Sequence, residues 1–387
     1  MAVKSLNATY DEAGMLGGWM MRLDYGASVV DLSKKKHSIT LKRLVMSRAL
    51  DIDSVPSVQE EVSQQLYHEI VQALCSNPSE RLEIEFLGKS HILPPGCNIL
   101  VDGNYIGISK PKLIQAFIFA RKLFFKYLRD INNSDDQEVR NTTAVMLLMD
   151  AENLTAANAR KKLIQRCKNF VDIESIIRKE LIWVDGLLTS RLHRHTKSPT
   201  LWSHRRWLLD LGYSINMPFD IHSDLKEVIL ISAERHPRNY YAWQHLRWIL
   251  LSSYGDNSPK RKITLDNEKL ISTILVWCTK HPSDTSGFSF LLFCLSTLPE
   301  GSRPRIEVCS SACKDVLALA NSFQWLNESV WVFLRTLVAS GVVSSDQKAY
   351  FYTSIRAINA STEQAGSKRL LDNVEAWCRT NAETCHS

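Results

Sequence analysis

Two stretches decide the fold, SPTLWSHRRWLLDLG at residues 198–212 and NYYAWQHLRWILLSSYG at residues 239–255. Both contain the phrase W-x-H-x-R-W. The phrase starts at Trp202 in the first copy and at Trp243 in the second, 41 residues later. A phrase that returns at a fixed internal distance indicates stacked structural repeats. A period in the low forties fits a hairpin of two helices of about 12–15 residues with short connections.

The period continues on both sides of these two copies. We aligned the chain on the first Trp of the phrase and call this position the slot. Neighbouring slots are 41–46 residues apart, and the last copy is the least regular. The slots are Ala157, Trp202, Trp243, Phe288, Trp331 and Trp377. A basic residue stands four positions after a slot at Lys161, Arg206, Arg247 and Arg335.

The residues before each slot predict where the second helix of each hairpin begins. Ser198 can cap a helix that has Pro199 at its first position. Asn239, Asp284 and Asn327 are predicted N-caps of the same kind. Apolar residues recur every three or four positions in the intervening stretches, and almost nothing after residue 110 is typical of a strand. The sequence therefore predicts an all-α solenoid of stacked hairpins over residues 135–380.

The phrase itself is predicted to be mostly scaffold. Residues four apart share one face of a helix, so Arg206 is expected to stack on Trp202, and Arg247 on Trp243. Each slot residue is expected to wedge between neighbouring hairpins, and His204 and His245 are expected to hydrogen-bond to the next hairpin. The predicted packing residues are Trp202, Arg206, Trp243, Arg247, Phe288, Trp331 and Arg335.

Composition limits the classes of protein that this chain can represent. No apolar run reaches the roughly 18 residues of a membrane span, and no secretory signal is predicted at the start. Nine Cys without framework spacing indicate free thiols and a cytoplasmic location. Cys309 and Cys313, four apart, are either half of a metal site or two small core residues. No second pair has zinc-type spacing, so no metal ligand is predicted in this chain.

Positive charge is concentrated between residues 160 and 210. This window carries twelve Lys or Arg and five acidic residues, a net charge of +7, against +6 for the whole chain. Such a window is either a solvated helical face or a surface for an anionic partner. The basic residues alternate with core positions and no nucleic-acid-binding module is present, so no nucleic-acid partner is predicted.

Three regions are predicted along the chain. Residues 1–57 form an N-terminal segment that is either disordered or upstream of the true start. Residues 58–134 form a preface with amphipathic helices and an irregular or extended segment, ILVDGNYIGIS at 99–109. Residues 135–380 form the repeat solenoid.

The repeated phrases resemble the α-subunit repeat of protein prenyltransferases. The best copies are KSPTLWSHRRWLLDL and RNYYAWQHLRWILL, and the resemblance covers residues from about 135 to 340. The eroded slots at Ala157 and Phe288 and the long preface are most similar to a divergent branch, the protein prenyltransferase alpha subunit repeat-containing proteins. The resemblance implies a right-handed α-α superhelix that wraps a partner β subunit.

The resemblance also implies where the chemistry lies. In the family, the β subunit carries the zinc ion and the isoprenoid pocket, and the substrate Cys attacks the isoprenoid diphosphate as a thiolate. An α-subunit Lys five residues before the slot reaches toward the diphosphate, and this position is Lys197 here. A Tyr and a His precede the next slot in the family. Here they are Tyr240 and Tyr241, so the second has lost the His and can no longer carry positive charge near neutral pH.

Alternatives stay open for these residues and for the chain. Lys197 is either a diphosphate ligand or an exposed lysine in a turn, and Tyr240 and Tyr241 are either ligands or packing residues of a first helical turn. By resemblance, the chain is an α-type subunit, inactive alone, of a protein geranylgeranyltransferase. It is expected to pair with the β subunit of Rab geranylgeranyltransferase and to modify a SNARE protein that already bears a farnesyl group. The alternative is a non-catalytic solenoid adaptor that binds another protein.

Overall fold

The computed structural model describes residues 58–75, 80–88, 90–129, 135–167, 170–254 and 266–382. The N-terminal segment predicted over residues 1–57 lies outside the described residues. The described part of the preface contains a small sheet between helices. Its elements are α1 (Val58–Cys75), β1 (Glu83–Leu87), β2 (Ile99–Asp102), β3 (Tyr105–Ser109) and α2 (Lys110–Arg129).

The sheet of the preface has the strand order β1-β3-β2. The central strand β3 pairs in parallel with β1 and antiparallel with β2, so that Ile106 lies opposite both Ile84 and Val101. Strands β2 and β3 are joined by a two-residue turn in which Gly103 has a φ of 58°. Glycine adopts this left-handed conformation without a steric cost, which is what a tight hairpin turn needs.

Helix α2 covers the preface and leads toward the repeats. Its buried residues recur at helical spacing at Leu113, Ala116, Ala120 and Phe124. This face packs α2 against both α1 and the first helix of the repeats. Helix α2 is therefore amphipathic, with one buried apolar face.

The described residues from Asp136 onward form six helical hairpins. The third has a π-helical turn, Leu225–Ile229, inside its first helix, between α7 and α8. The hairpins are α3 (Asp136–Met149) with α4 (Leu154–Arg166), α5 (Phe170–Leu188) with α6 (Pro199–Ser214), α7 (Ile221–Asp224) and α8 (Leu230–Arg235) with α9 (Tyr240–Tyr254), α10 (Asn267–Lys280) with α11 (Thr285–Ser296), α12 (Arg303–Ser322) with α13 (Glu328–Ala339), and α14 (Ser345–Ser361) with α15 (Ala365–Ala382).

The hairpins stack in two layers. The second helices contact one another in the order α4, α6, α9, α11, α13, α15. In the last three hairpins the first helices also contact one another, in the order α10, α12, α14. Each hairpin therefore buries its apolar faces mainly against its neighbours, which is the behaviour of a repeat protein. The predicted all-α solenoid is confirmed.

The helix starts were predicted from single polar residues before each slot. Helix α6 begins at Pro199, and the hydroxyl of Ser198 accepts a hydrogen bond from Leu201 N at 3.0 Å. Asn239 and Asp284 accept in the same way from Ala242 N and Gly287 N. Asn327 is the exception, because it occupies the N-cap position of α13 without a capping hydrogen bond from its side chain.

The slot residues lie between hairpins. Ala157, Trp202, Trp243, Phe288 and Trp331 are all at most 4% exposed, whereas Trp377 is half-buried. Three slot side chains contact the residue two positions after the next slot. The ring-centroid distances are 5.0 Å for Trp202–His245, 5.2 Å for Trp243–Phe290 and 5.3 Å for Phe288–Phe333.

The basic residues four after the slots do not follow the predicted pairing. Arg206 and Arg247 were expected to stack on the Trp of their own helix, but each lies over an aromatic ring of the next hairpin. The partner stands five positions after the next slot, and we call this series the cation–π ladder. Its distances to the ring centroid are 5.6 Å for Lys161–Trp207, 4.5 Å for Arg206–Trp248 and 4.1 Å for Arg247–Phe293. Further along, Arg335 lies 4.6 Å from the centroid of the Trp377 ring.

A buried ion pair joins the first two hairpins. Arg160 Nε and Nη2 donate to the two carboxylate oxygens of Glu180 at 2.6 and 2.7 Å. Arg160 also donates to Thr143 Oγ1, and His204 Nε2 lies 2.9 Å from Glu180 Oε1. Burial alone would raise the pKa of Glu180, but Arg160 and the hydrogen bonds from His204 and Arg160 lower this pKa overall. His204 thus bonds within its own hairpin, and the prediction of a bond to the next hairpin was wrong.

A second buried ion pair joins the second and third hairpins. Arg205 Nε donates to Asp185 Oδ1 at 2.6 Å, and Arg205 Nη2 donates to Asp224 of α7. Arg205 Nη1 lies 2.8 Å from His245 Nε2, so this nitrogen accepts and the proton of the neutral ring sits on Nδ1. The partner of His245 is therefore in the preceding hairpin, again contrary to the prediction.

Candidate functional site

Lys197 is half-buried and lies in the connection between α5 and α6, at the end of a loop that is held firmly. His195 Nε2 lies 3.0 Å from the carbonyl oxygen of Leu147. Ser198 Oγ donates to the carbonyl oxygen of Ala151 at 2.9 Å. Both contacts reach back to the preceding hairpin, so the residues on either side of Lys197 have fixed positions.

Asn239 joins this loop to the start of α9. Its side chain is fully buried, and its Nδ2 donates to the carbonyl oxygen of Thr196 at 2.8 Å. The same carbonyl accepts a hydrogen bond from Trp202 Nε1 at 2.9 Å. Thr196 immediately precedes Lys197, and Asn239 immediately precedes Tyr240. The structure therefore brings together the two chain segments that carry the predicted diphosphate ligands.

Two histidines lie beside Lys197. The ring centroids of His193 and His236 are 5.1 Å apart, with the rings nearly perpendicular. Burial lowers the pKa of His236, and the neighbouring Lys197 and His193 lower this pKa further. A His236 ring with a lowered pKa is neutral near pH 7, so it offers hydrogen-bonding nitrogens and not a positive charge.

Tyr240 and Tyr241 stand at the first turn of α9 with their rings in contact. Their ring centroids are 5.8 Å apart, and the side chains are 58% and 37% exposed. Packing residues of a core would be buried, so both phenols remain accessible to a ligand or a partner. Arg238, which stands five before its slot as Lys197 does, adds another exposed cation, and its backbone N donates to Asp284 Oδ2 at 2.5 Å.

We call the polar residues of these two joined segments the α6–α9 junction. They are His193, Lys197, His236, Arg238, Tyr240 and Tyr241. Cations and phenol hydroxyls are suitable donors to phosphate oxygens. The histidines and Arg238 were not predicted as part of a site. The basic runs HRHTK at 193–197 and RHPRN at 235–239 were the available signal, but only the fold shows that they meet.

The basic window between residues 160 and 210 is only partly a surface. Arg160 and Arg205 are buried in the two ion pairs described above. Arg178 pairs with Glu174 one helical turn away at 2.6 Å. Much of the local charge is therefore balanced inside the fold. The cations of the window that remain exposed include Arg194 and Arg206, whereas Lys197 of the α6–α9 junction is half-buried.

Two further observations concern metals and membranes. Among the described residues, no group of three or more His, Cys, Asp and Glu is arranged to hold a metal ion. Cys309 and Cys313 are buried, and burial raises the pKa of Cys313 to about 12. None of the described helices is long and apolar enough to span a lipid bilayer.

The fold and the junction define a class of protein: a solenoid of helical hairpins with a slot residue near the start of each second helix, and with Lys197 five residues before the slot Trp202. Residues 177–211 match the protein prenyltransferase alpha subunit repeat, and residues 201–315 match the ECM9 middle domain. The first match contains Lys197 and Trp202, and the second contains Tyr240 and Tyr241. The predicted resemblance to the prenyltransferase repeat is thereby confirmed at the phrase of residues 198–212, and the phrase of residues 239–255 lies within the ECM9 match.

A relative from Danio rerio shows the same relationship. The chain is similar to protein prenyltransferase alpha subunit repeat-containing protein 1 of that organism, with 30% identity over 188 residues. The match covers 45% of this chain and 41% of the relative. The similarity thus spans less than half of the relative's length.

Proposed function

We propose that this chain is the α-type subunit of a heterodimeric protein geranylgeranyltransferase and has no transferase activity alone. The observation that carries the proposal is the α6–α9 junction, where the Asn239–Thr196 hydrogen bond holds the Lys197 and Tyr240 segments side by side. Lys197 lies within the residues that match the prenyltransferase repeat. A cationic surface at this position suits the diphosphate that leaves during prenyl transfer.

The role of the junction follows from the charge that develops in the reaction. As the bond between the isoprenoid and the diphosphate breaks, negative charge accumulates on the diphosphate oxygens. Lys197 would balance this charge, and the hydroxyls of Tyr240 and Tyr241 would donate hydrogen bonds to it. These interactions are stronger in the transition state than in the ground state, so they accelerate transfer rather than only tighten binding.

The remaining chemistry belongs to the partner in this proposal. The isoprenoid pocket and a zinc ion that would hold the substrate Cys as a thiolate are assigned to a β subunit of the Rab geranylgeranyltransferase type. The acceptor would be a C-terminal Cys, in a SNARE protein that already carries a farnesyl group, within the cytoplasm. Partner, lipid and substrate rest on the family resemblance.

The exposed face of α9 supports a protein partner. Tyr240, Tyr241 and Leu251 lie on it at helical spacing, and Leu251 is 53% exposed. Trp248 lies along the same helix, half-buried beneath the guanidinium of Arg206. Tyr and Trp are the residues that most often dominate binding energy at protein interfaces. A partner seated on this face would also cover the α6–α9 junction and exclude water from it, which strengthens electrostatic interactions there.

The test is co-expression of the full chain with each prenyltransferase β subunit, followed by a pull-down and a labelled geranylgeranyl transfer assay. We expect a stable complex with the Rab geranylgeranyltransferase β subunit that transfers lipid, and no transfer by the chain alone. A complex that forms but transfers no lipid to any prenylated or unprenylated SNARE acceptor would contradict the transferase proposal.

The second candidate is a non-catalytic adaptor that uses the same face of α9. The erosion of the slot at Ala157 favours it, because the first repeat has lost its aromatic wedge. The two candidates differ in one outcome. An adaptor captures a protein partner without any dependence on Lys197, whereas the transferase subunit requires Lys197 for turnover.

A further inference from the structure

A cleft between α2 and α4, which we call the α2–α4 cleft, has no role in the function proposed above. Its volume is about 430 Å³, and its lining comes from the end of α2, from α3 and from one face of α4. Volumes of this size are typical of small-molecule sites, which span roughly 300–1,000 Å³. All the residues that line it are described by the structure.

Part of the lining of the α2–α4 cleft is apolar, and we call this part the apolar wall. It is formed by Phe124 and Leu128 of α2, Val139 of α3 and Leu163 of α4. Phe124, Val139 and Leu163 are each at most 8% exposed, so they belong to the core and present a fixed surface. An apolar chain or ring laid on this wall would be removed from water, which is favourable in proportion to the apolar area buried.

Three cations of α4 also line the cleft. They are Lys161, Lys162 and Arg166, and no Asp or Glu is among the described residues that line it. Arg166 Nη1 is held by Asp136 Oδ1 at 3.1 Å, just outside the lining. The two lysines are thus the cations best placed to receive an additional anion.

Lys161 is the most buried of the three cations that line the cleft. It is half-buried, and the described group that it contacts is the Trp207 ring, whose centroid is 5.6 Å from Nζ. Burial lowers the pKa of Lys161. A partly desolvated ammonium without a carboxylate is costly, and an anion placed beside it would offset that cost.

Tyr127 and the two acidic residues of α3 near the cleft are engaged within the fold. The hydroxyl of Tyr127, which lines the cleft, donates a hydrogen bond to Glu138 Oε2 at 2.6 Å. The Glu138 carboxylate thus pairs with a neutral phenol and not with the lysines. With Asp136 held by Arg166, both nearby acids of α3 have partners. The cleft therefore combines an apolar wall with uncompensated positive charge.

We propose that the α2–α4 cleft binds an anionic amphiphile, with its apolar chain on Phe124, Leu128 and Leu163 and its phosphate or carboxylate head at Lys161 and Lys162. The chain accounts for the apolar wall and the head accounts for the cations. This site is separate from the α6–α9 junction and does not depend on the proposed transferase function.

The test is calorimetric titration of the full chain with octyl phosphate below its micelle concentration. Decanoate, inorganic phosphate and octanol are titrated in parallel. We expect saturable one-to-one binding of octyl phosphate or decanoate, with at least tenfold weaker binding of inorganic phosphate and octanol. Binding of inorganic phosphate as tight as that of octyl phosphate would overturn the proposal, since the apolar wall would then contribute nothing. Absence of binding by both amphiphiles would overturn it equally.

Variants locate the binding. Lys161→Met keeps the length of the side chain and removes its charge, and Ala159→Phe fills the cleft from the lining of α4. We expect each to weaken amphiphile binding at least tenfold, with folding checked by a thermal melt. Lys348→Met, which changes another half-buried lysine on α14, should leave binding unchanged. Equal affinity for the parent chain and both cleft variants would contradict the assignment.

Discussion

The guanidinium carbon of Arg206 lies 4.5 Å from the centre of the Trp248 ring, which belongs to the next hairpin. Lys161 and Trp207 repeat this relationship one hairpin earlier, as Arg247 and Phe293 do one hairpin later. The same contact thus forms between successive hairpins, so it depends on the relative orientation of one hairpin and the next. A cation on one second helix covers the ring of its neighbour, so the second helices are linked through their solvent-facing sides as well as through the core.

The first prediction concerns the energy of this contact. In a double-mutant cycle of Arg206→Met and Trp248→Leu, we expect a coupling energy of about 0.5–1 kcal/mol. The value is at the low end for cation–π pairs because Arg206 is exposed to water. Urea denaturation of the four proteins measures it. Combining Arg206→Met with Phe323→Ala, an exposed residue on another hairpin, should give additive effects, and a coupling no larger than in that control would contradict the ladder.

The second prediction assigns Lys197 to turnover. In the complex with the β subunit, Lys197→Ala should slow geranylgeranyl transfer by roughly tenfold or more, equivalent to about 1.4 kcal/mol of lost transition-state stabilisation. Affinity for the β subunit should stay the same, because the loop around Lys197 is held by His195 and Ser198. Single-turnover kinetics and a binding titration measure the two effects separately.

The matched control for Lys197 is another half-buried lysine. Lys348→Ala on α14 should change neither the transfer rate nor the affinity for the β subunit. Unchanged transfer by the Lys197→Ala complex would remove this lysine from the diphosphate site and favour the adaptor function.

The third prediction tests the slots as wedges between hairpins. Trp243 is 2% exposed and contacts both Trp277 and Phe290. Trp243→Ala should lower the free energy of unfolding by about 3–5 kcal/mol, because it leaves a large cavity at a hairpin boundary. Trp243→Phe should cost clearly less, since Trp243 Nε1 has no hydrogen-bond partner among the described residues. A thermal melt that barely moves for Trp243→Ala would show that the slot is not a wedge.

The repeat architecture was predictable because its signal is local. A slot residue, an N-cap four positions before it and apolar residues at helical spacing all lie within one helix and its start. Trp202 and Trp243 with their caps Ser198 and Asn239 therefore revealed the hairpins and their period. Nothing in these patterns depends on the angle between neighbouring hairpins.

The inter-hairpin contacts were not predictable for the same reason. Stacking on Trp202 was a sound expectation for Arg206 within a single helix. The rotation from one hairpin to the next instead brings Trp248 to Arg206. The spacing of the repeats in the sequence gives their length but not this angle of rotation. The carboxylates of Glu180 and Asp224 were also missed, because they stand on first helices, which share no common phrase.

The candidate site shows a similar division. Lys197, Tyr240 and Tyr241 came from family resemblance, and the structure joins their segments through Asn239 and Thr196. The α2–α4 cleft had no signal at all in the sequence. It arises where the preface meets the first repeat, and its lysines differ from solvated ones only through their surroundings.

The fourth prediction concerns the buried carboxylate that joins the first two hairpins. Glu180→Gln should cost about 3–5 kcal/mol of unfolding free energy, because Arg160 would keep its charge in a buried position without an anion. The double variant Glu180→Leu with Arg160→Met should be more stable than the single one, since it removes both charges. Urea denaturation measures all of these.

The control for the buried pair is an exposed one. Glu307→Gln breaks a contact of 2.7 Å with Arg303 on the surface of α12, and should cost less than about 1 kcal/mol. If the exposed and the buried substitutions had the same cost, Glu180 would not act as the shared anion of the first two hairpins.

The last prediction concerns pH and the buried histidines. Burial and the charges of Arg205 and Arg206 hold the pKa of His245 well below its usual value near 6.5. Below pH 6.5 His245 therefore binds a proton in the unfolded chain but stays neutral in the folded chain. The contribution of His245 to the unfolding free energy is complete above pH 6.5 and is lost as the pH falls. Burial lowers the pKa of His195 and His204 in the same direction. We expect unfolding free energy to drop between pH 7.5 and 5.5, by up to about 1.4 kcal/mol per pH unit for each such histidine. His245→Asn keeps an amide oxygen that can still accept a hydrogen bond from Arg205. This variant should reduce the slope of unfolding free energy against pH by the amount that corresponds to one bound proton. A slope identical to that of the parent chain would mean that His245 takes up its proton in the folded state.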